Sequence, residues 1–153
     1  MIDTTYNNYA SLEQQKQKAK IKKFSKVSGH LEIRVIKGLN LASRDANGLS
    51  DPFCALELLD EQRDTEVIEK TLNPVWDQLL SFAVVEKPVT EKLIIKVFDR
   101  DQYSTDDAMG ECHVDLSLLS QLADGSEREL TLKLENVESG EIVVSICYRQ
   151  ADF

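Results

Sequence analysis

Apolar and polar residues alternate in short runs along most of the chain after the first 28 residues. In the first run, Leu31, Ile33 and Val35 alternate with charged residues, so one face of a strand is buried and the other faces water. Eight such runs predict strands at residues 30–36, 53–59, 65–70, 78–85, 91–98, 109–115, 128–134 and 141–149. Their close spacing and the polar turns between them indicate an all-β antiparallel sandwich.

Two parts of the chain depart from this alternation. The segment LSLLSQL, at 116–122, predicts a short helix between the sixth and seventh strands. The first 28 residues are polar and rich in lysine, which predicts a flexible or weakly helical extension. Because 153 residues suit a single domain, we divide the chain into an extension (1–28), one β-domain (29–150) and a short tail (151–153).

Composition excludes several classes of protein. The chain has 27 acidic and 18 basic side chains, and its net charge of −9 disfavours nucleic acid, which binds mainly through Lys and Arg. No apolar run approaches the roughly 18 residues of a membrane span, and the N-terminus lacks the apolar core of a signal peptide, so we expect a soluble intracellular protein. Three widely spaced cysteines predict buried thiols rather than disulfides or a zinc site.

The charge is distributed unevenly, and two loops carry more carboxylates than a turn requires. Six lysines against two acidic residues leave the first 28 residues at +4 and the rest of the chain at −13. The acidic loops are DANGLSD at 45–51 and DRDQYSTDD at 99–107, each at the end of a strand. Asp99 continues the apolar phase of the fifth strand and Asp101 follows two residues later, so in an extended backbone both carboxylates leave the sheet in the same direction.

If both loops lie at one end of the sandwich, their carboxylates converge, and a divalent cation relieves the repulsion. Ca²⁺ suits such a site because it accepts about six to eight oxygen ligands in flexible geometry. The residues alone leave two other interpretations open, since these residue types also form plain turns and paired acids also serve in hydrolases. An EF-hand is excluded: counting from Asp99, Ser104 stands where the motif requires glycine, and Gly110 stands where it requires glutamate. Without a Ser-His-Asp or Cys-His arrangement, we expect no enzyme.

Four segments together resemble the C2 domain, a Ca²⁺-dependent phospholipid-binding sandwich. They extend from Gly29 to Arg149 and read, in chain order, GHLEIRVIKGLNLASRDANGLSDPF, TLNPVWDQLLSFAV, LIIKVFDRDQYSTDDAMGE and GEIVVSICYR. The resemblance implies an eight-stranded Greek-key sandwich. One clear strand before SDPF and a good strand at the end of the chain favour the circularly permuted topology called type II.

The resemblance also implies two or three bound Ca²⁺ ions and their ligands. Position by position, the family's five calcium-ligating aspartates fall on Asp45, Asp51, Asp99, Asp101 and Asp107. Further oxygens are implied from the Ser104 hydroxyl and from the backbone carbonyls of Ala46 and Arg100. Asp106 is off the pattern and is interpreted as a solvated charge. We interpret Gly110 as a position where a side chain would crowd the metal loop.

The implied function is Ca²⁺-dependent attachment to anionic membranes of the phosphatidylserine type. Bound calcium reverses the negative charge of the loop tips, and lipid head groups then complete its coordination. The candidate lipid contacts are Arg44, Leu49, Arg100, Gln102 and Tyr103. We expect a cytoplasmic module that is peripheral on the cytoplasmic face of a membrane when Ca²⁺ is bound. The alternative is a Ca²⁺-independent, C2-like domain that binds a protein partner.

One segment departs from the family pattern. Many C2 domains carry a lysine-rich patch on the third and fourth strands that recognises phosphoinositides, whereas DEQRDTEVIEK at 60–70 is mainly acidic. We therefore do not expect phosphoinositide specificity at that surface. Two interpretations of the lysines in the first 28 residues stay open: a basic segment near an anionic membrane, or a solvated tail.

Overall fold

The computed structural model of the protein describes residues 27–151, so nearly all of the predicted extension lies outside the described residues. Within them, eight antiparallel strands form two four-stranded sheets, which confirms the predicted all-β sandwich. The strands are β1 (Gly29–Leu39), β2 (Pro52–Leu58), β3 (Glu61–Asp64), β4 (Val75–Val84), β5 (Lys92–Asp99), β6 (Asp107–Asp115), β7 (Glu127–Lys133) and β8 (Glu141–Gln150).

The strand order places the last described strand beside the first. One sheet has the order β4-β1-β8-β7 and the other β3-β2-β5-β6. In the first sheet, Leu31 of β1 lies opposite Phe82 of β4 on one side and Tyr148 of β8 on the other. Within residues 27–151, a single strand precedes SDPF and the last strand pairs with it, as the permuted topology requires.

The core lies between the two sheets and is built from the inward half of each alternating strand. Leu31 and Ile33 of β1 are fully buried, as are Leu93 and Ile95 of β5 on the facing sheet. Each such side chain contributes roughly 1.5–3 kcal/mol when it leaves water. The predicted buried thiols are confirmed, and all are free: Cys54, Cys112 and Cys147.

The third strand lies earlier in the chain than the alternation predicts. It is Glu61–Asp64, whereas residues 65–70 form no strand. A two-residue turn joins β2 to β3, and Leu59 in this turn has a φ of 56°. The Thr65 N–H still donates to the Cys54 carbonyl at 2.8 Å, but the Cys54 N–H donates to the Thr65 hydroxyl at 2.9 Å. A side chain thus takes one of the two hydrogen bonds of this pair, and regular pairing ends there.

The basic residue of β3, Arg63, faces the neighbouring sheet. Its Nε donates to the Ser81 carbonyl of β4 at 3.2 Å, and its guanidinium lies 5.0 Å from the centre of the Phe82 ring. Arg63 therefore covers the core edge that an apolar side chain would otherwise cover. Because EQRD contains no apolar residue, alternation could not reveal this strand.

The predicted helix between the sixth and seventh strands is confirmed as a 3₁₀-helix, Leu116–Gln121. The Asp115 side chain caps it by accepting the backbone N–H of Ser117 at 3.0 Å. Its Leu116 and Leu119 side chains are buried. Among residues 27–151, no helix has the length and apolar character needed to cross a membrane.

Candidate metal centre

Both acidic loops lie at the same end of the sandwich. The first joins β1 to β2 and the second joins β5 to β6. In the second sheet, Pro52 at the start of β2 pairs with Asp99 at the end of β5, and Asp99 pairs with Asp107 at the start of β6. This register brings the strand ends that carry the two loops together.

Three of the five predicted ligands converge. Carboxylate oxygens of Asp45, Asp51 and Asp99 all lie within 4.8 Å of one another. Carboxylates this close repel strongly unless a cation or a proton lies among them. A set made only of oxygen atoms suits a hard cation such as Ca²⁺ rather than a metal that prefers nitrogen or sulfur.

Asp99 is the buried member of this set, with 2% of its surface exposed. Its Oδ1 accepts the backbone N–H of Asp51 at 2.8 Å. Burial raises the pKa of Asp99 to about 6; the Asp51 N–H opposes this shift, while Asp45 and the Asp51 charge add to it. At neutral pH this side chain is a largely ionised carboxylate whose charge a bound cation would stabilise.

Hydrogen bonds hold the other two members of the set in place. The Oδ1 of Asp51 accepts the backbone N–H of Lys70 at 2.7 Å, and its carbonyl accepts the N–H of Arg100 at 3.0 Å. Asp45 begins a turn in which its carbonyl accepts the N–H of Gly48 at 3.0 Å. Gly48 has a φ of 79°, a conformation that favours glycine.

The other two predicted ligands, Asp101 and Asp107, lie outside the close set. Asp107 is exposed at the start of β6. Asp101 is also exposed and accepts the N–H of Tyr103 at 2.9 Å and the Ser104 hydroxyl at 2.7 Å. These hydrogen bonds, that of Tyr103 first, hold the pKa of Asp101 below its usual value. β5 ends at Asp99, so Asp101 lies beyond the paired part of the strand, and the chain bends from Gln102 to Ser104.

Two residues play different structural roles from those the sequence suggested. Asp106 is half-buried and its Oδ1 accepts the backbone N–H of Asp101 at 2.8 Å, so it braces the loop rather than standing as a solvated charge. Gly110 has a φ of 97°, and a Cβ there would lie 2.5 Å from Val137 and 3.0 Å from the Glu135 carbonyl. The chain that crowds Gly110 is the segment after β7 and not the metal loop.

The predicted carbonyl donors and lipid contacts differ in exposure. Tyr103 is 95% exposed. Gln102, Arg100 and Ala46 are also exposed, whereas Leu49 is half-buried. Tyr103 therefore provides the most accessible apolar surface among the predicted loop contacts.

Arg44, another predicted lipid contact, is held within the protein. Its Nη1 donates to Glu138 Oε1 at 2.8 Å, and its Nε donates to the Ala108 carbonyl at 3.3 Å. Sequence reasoning missed Glu138, which lies in the β7–β8 loop and 94 positions from Arg44. No local pattern could have revealed a contact between residues so far apart in the chain.

Comparisons with known proteins relate the chain to C2 domains. The profile of the C2 domain family matches residues 29–134. The chain is 33% identical over 126 residues to a C2 and GRAM domain-containing protein of Arabidopsis thaliana, covering 78% of this chain and 12% of that protein. It is 35% identical over 128 residues to synaptotagmin-10 of Rattus norvegicus, covering 77% of this chain and 24% of that protein. These relatives are thus several times longer than the segment they share with it.

A shorter relative and two solved structures extend the comparison. Protein C2-DOMAIN ABA-RELATED 3 of Arabidopsis thaliana is 32% identical over 152 residues, covering 77% of this chain and 89% of that protein. A C2 domain of plant extended synaptotagmin 1 has a TM-score of 0.73 at 25% identity, covering 82% of this chain and 98% of that one. A calcium-bound pair of C2 domains from extended synaptotagmin 2 gives a TM-score of 0.67 at 25% identity, covering 79% of this chain and 45% of that one.

Proposed function

The chain belongs to the C2 domain family, and we propose that it is a non-catalytic module that binds Ca²⁺ and then attaches to anionic phospholipid membranes. The observation that carries this proposal is the convergence of Asp45, Asp51 and Asp99 within 4.8 Å at one end of the sandwich. A calcium-bound structure among the similar C2 domains supports the choice of ion.

The proposed mechanism is a reversal of charge at the loop end. Without calcium, the carboxylates repel an anionic membrane surface. Two or three bound ions make the loop tips positive, and phosphatidylserine-type head groups fill the coordination positions that the protein leaves open. By linkage, membrane and calcium each strengthen the binding of the other by the same factor. In a cell, such a module moves from the cytoplasm to the cytoplasmic face of a membrane when Ca²⁺ rises.

We propose that further oxygens complete the coordination when calcium binds. Asp107 pairs with Asp99 across β5 and β6, Asp101 follows Asp99 by two residues, and the Ser104 hydroxyl lies beside the Asp101 carboxylate. With the backbone carbonyls of Ala46 and Arg100, they would bring the ligand number toward the roughly six to eight oxygens that calcium prefers.

Cosedimentation with vesicles tests the proposal. Vesicles containing phosphatidylserine, mixed with the full chain, are expected to carry it into the pellet in Ca²⁺ but not in chelator. Vesicles of phosphatidylcholine alone are expected to leave it in the supernatant under both conditions. Equal sedimentation in Ca²⁺ and in chelator would contradict the proposal and would favour the Ca²⁺-independent interaction module.

Tyr103 is expected to strengthen attachment without taking part in calcium binding. Because its side chain is 95% exposed, Tyr103→Ala is expected to lower vesicle affinity by less than about tenfold and to leave the stability of the fold unchanged. Tyr103→Trp is expected to bind vesicles more tightly, since Trp favours the membrane interface. Vesicle titration of the three proteins measures both changes.

Calcium titration without vesicles provides the control for Tyr103. The backbone N–H of Tyr103, which donates to Asp101, is present in every variant. Calcium affinity without membrane is therefore expected to be the same in all three proteins. If Tyr103→Ala weakened calcium binding as much as vesicle binding, its side chain would be acting on the metal site and not on the membrane.

A further inference from the structure

Arg44 brings a positive charge to the edge of the carboxylate set. It precedes Asp45 in the chain, and its Nε donates to the carbonyl of Ala108, the residue after Asp107. The hydrogen bond from Arg44 to Glu138 raises the pKa of Arg44, and the charges of Asp107 and Asp99 raise it further. The hydrogen bond to Ala108 places the Arg44 guanidinium beside the start of β6, where Asp107 pairs with Asp99.

Glu138 draws this guanidinium toward a loop outside the metal site. Arg44 Nη1 lies 2.8 Å from Glu138 Oε1, and Nη2 lies 3.4 Å from Oε2, so the two side chains form a bidentate ion pair. The Arg44 side chain is 27% exposed and that of Glu138 is 65% exposed, so the pair lies at the surface with its arginine partly covered. This contact also holds the pKa of Glu138 below its usual value.

The loop that carries Glu138 is anchored to the strand that begins at Asp107. The backbone N–H of Glu135 donates to the Glu111 carbonyl of β6 at 2.7 Å, and that of Glu111 donates back at 3.1 Å. The Leu134 N–H donates to the Gly140 carbonyl at 3.0 Å and closes the loop. Glu138 is thus presented from a fixed position.

We propose that Glu138 is a positioning residue for the metal site: by holding Arg44 aside, it keeps the carboxylates of Asp99 and Asp107 available to calcium. This inference rests on the proposed function. Glu138 lies beyond residue 134, where the family match ends, and outside both acidic loops.

The physical reason is competition between two cations for the same carboxylates. Without Glu138, the Arg44 guanidinium keeps only its hydrogen bonds to the carbonyls of Ser43 and Ala108. The long side chain can then turn toward the aspartates, where it satisfies their charge and must be displaced before calcium binds. A unit charge that moves a few ångströms closer to such a site changes calcium affinity by about threefold to tenfold. With Glu138 in place, that competing charge is already paired.

Calorimetric titration with CaCl₂ alone, without membrane, tests this inference on the full chain. The variants are Glu138→Ala, Arg44→Gln and the double variant, with Glu135→Ala as the matched control. Glu135→Ala removes the same charge from the same loop, at a residue whose backbone anchors the loop. Melting in chelator checks that each variant is folded.

We expect Glu138→Ala to weaken calcium binding by about threefold to tenfold and Glu135→Ala to change it by less than about 1.5-fold. In the Arg44→Gln background, we expect removal of Glu138 to have no effect. A purely structural role, or direct attraction of calcium by Glu138, would give the same loss in both backgrounds, which makes the coupling between the two residues the decisive readout.

Three results would overturn the inference. They are unchanged affinity in Glu138→Ala, an equal loss in the Arg44→Gln background, and loss of calcium binding in Arg44→Gln itself, which would show that Arg44 supports the site. If the unchanged protein bound no calcium, the proposed function would fail as well, so the two failures are distinguishable.

Discussion

Asp99→Asn is expected to abolish Ca²⁺-dependent attachment to anionic vesicles. Asp99 is the buried carboxylate of the set, and its oxygens lie within 4.8 Å of those of Asp45 and Asp51. Asparagine keeps an acceptor for the Asp51 N–H but offers calcium one neutral oxygen in place of a charged carboxylate. We expect calcium affinity to fall by at least about a hundredfold, which corresponds to roughly 2.8 kcal/mol.

Calorimetric titration and vesicle cosedimentation measure this loss. Asp115→Asn is the matched control, because Asp115 lies at the opposite end of β6 from Asp107 and asparagine can still cap the 3₁₀-helix. The control is expected to bind calcium and vesicles like the unchanged protein. Unaltered Ca²⁺-dependent sedimentation of Asp99→Asn would show that the converging carboxylates do not form the calcium site.

The same carboxylate is expected to make the protein less stable in chelator as the pH rises. Burial raises the pKa of Asp99 from 3.8 to about 6, so the folded state holds this proton more tightly than the unfolded state does. The contribution of the protonated Asp99 side chain to the free energy of unfolding is therefore fully present below pH 3.8 and is lost as the pH rises through about 6. The difference corresponds to a loss of at most about 3 kcal/mol.

Urea denaturation in chelator, between pH 4.5 and 7.5, measures this effect when Asp99→Asn is compared with the unchanged protein. The variant carries no ionisable group at this position. Its free energy of unfolding is therefore expected to exceed that of the unchanged protein by about 1–3 kcal/mol at pH 7.5, and the gap is expected to narrow at lower pH. A gap that does not vary with pH would contradict the raised pKa of Asp99.

Comparing two variants removes the influence of other acidic groups. Asp101 and Asp115 have lowered pKa values, so their contributions to stability increase as the pH rises, opposite to that of Asp99. Both residues are present in the two proteins, so their contributions cancel in the comparison. Added Ca²⁺ is expected to stabilise the unchanged protein and to have little effect on Asp99→Asn, because a ligand stabilises only the state that binds it. A buried carboxylate at Asp99 therefore lowers the stability of the ion-free fold, although it would stabilise a bound cation.

The alternation of apolar and polar residues predicted the strands whose apolar side chains form the core. It failed at β3, where a charged side chain covers the edge of the core. Leu31, Ile33 and Val35 mark β1 unmistakably, and all are fully buried. In β3, no apolar residue marks the inward face, because the Arg63 guanidinium packs over the Phe82 ring there instead. The β-like run at 65–70 begins at Thr65, whose hydroxyl takes the Cys54 N–H that a backbone carbonyl would accept in a regular strand.

For the candidate site, loop composition by itself left a metal site and plain turns equally open. The resemblance to C2 domains selected five aspartates, and their places in the structure differ. Asp45, Asp51 and Asp99 converge, whereas Asp101 accepts hydrogen bonds from its own loop. Where each carboxylate stands depends on short hydrogen bonds within and between loops, which residue types alone do not specify.

By itself, the sequence determined the class of fold and the loops that carry the charge, because successive side chains of a strand point to opposite faces and alternation records which face is buried. Only the tertiary structure decided which carboxylates converge and that the Arg44 guanidinium lies near them. The register of β2, β5 and β6 places Asp99 beside Pro52 and Asp107, and a loop 94 positions away supplies the partner of Arg44. Such contacts follow from the packing of whole strands, so no local pattern in the chain encodes them.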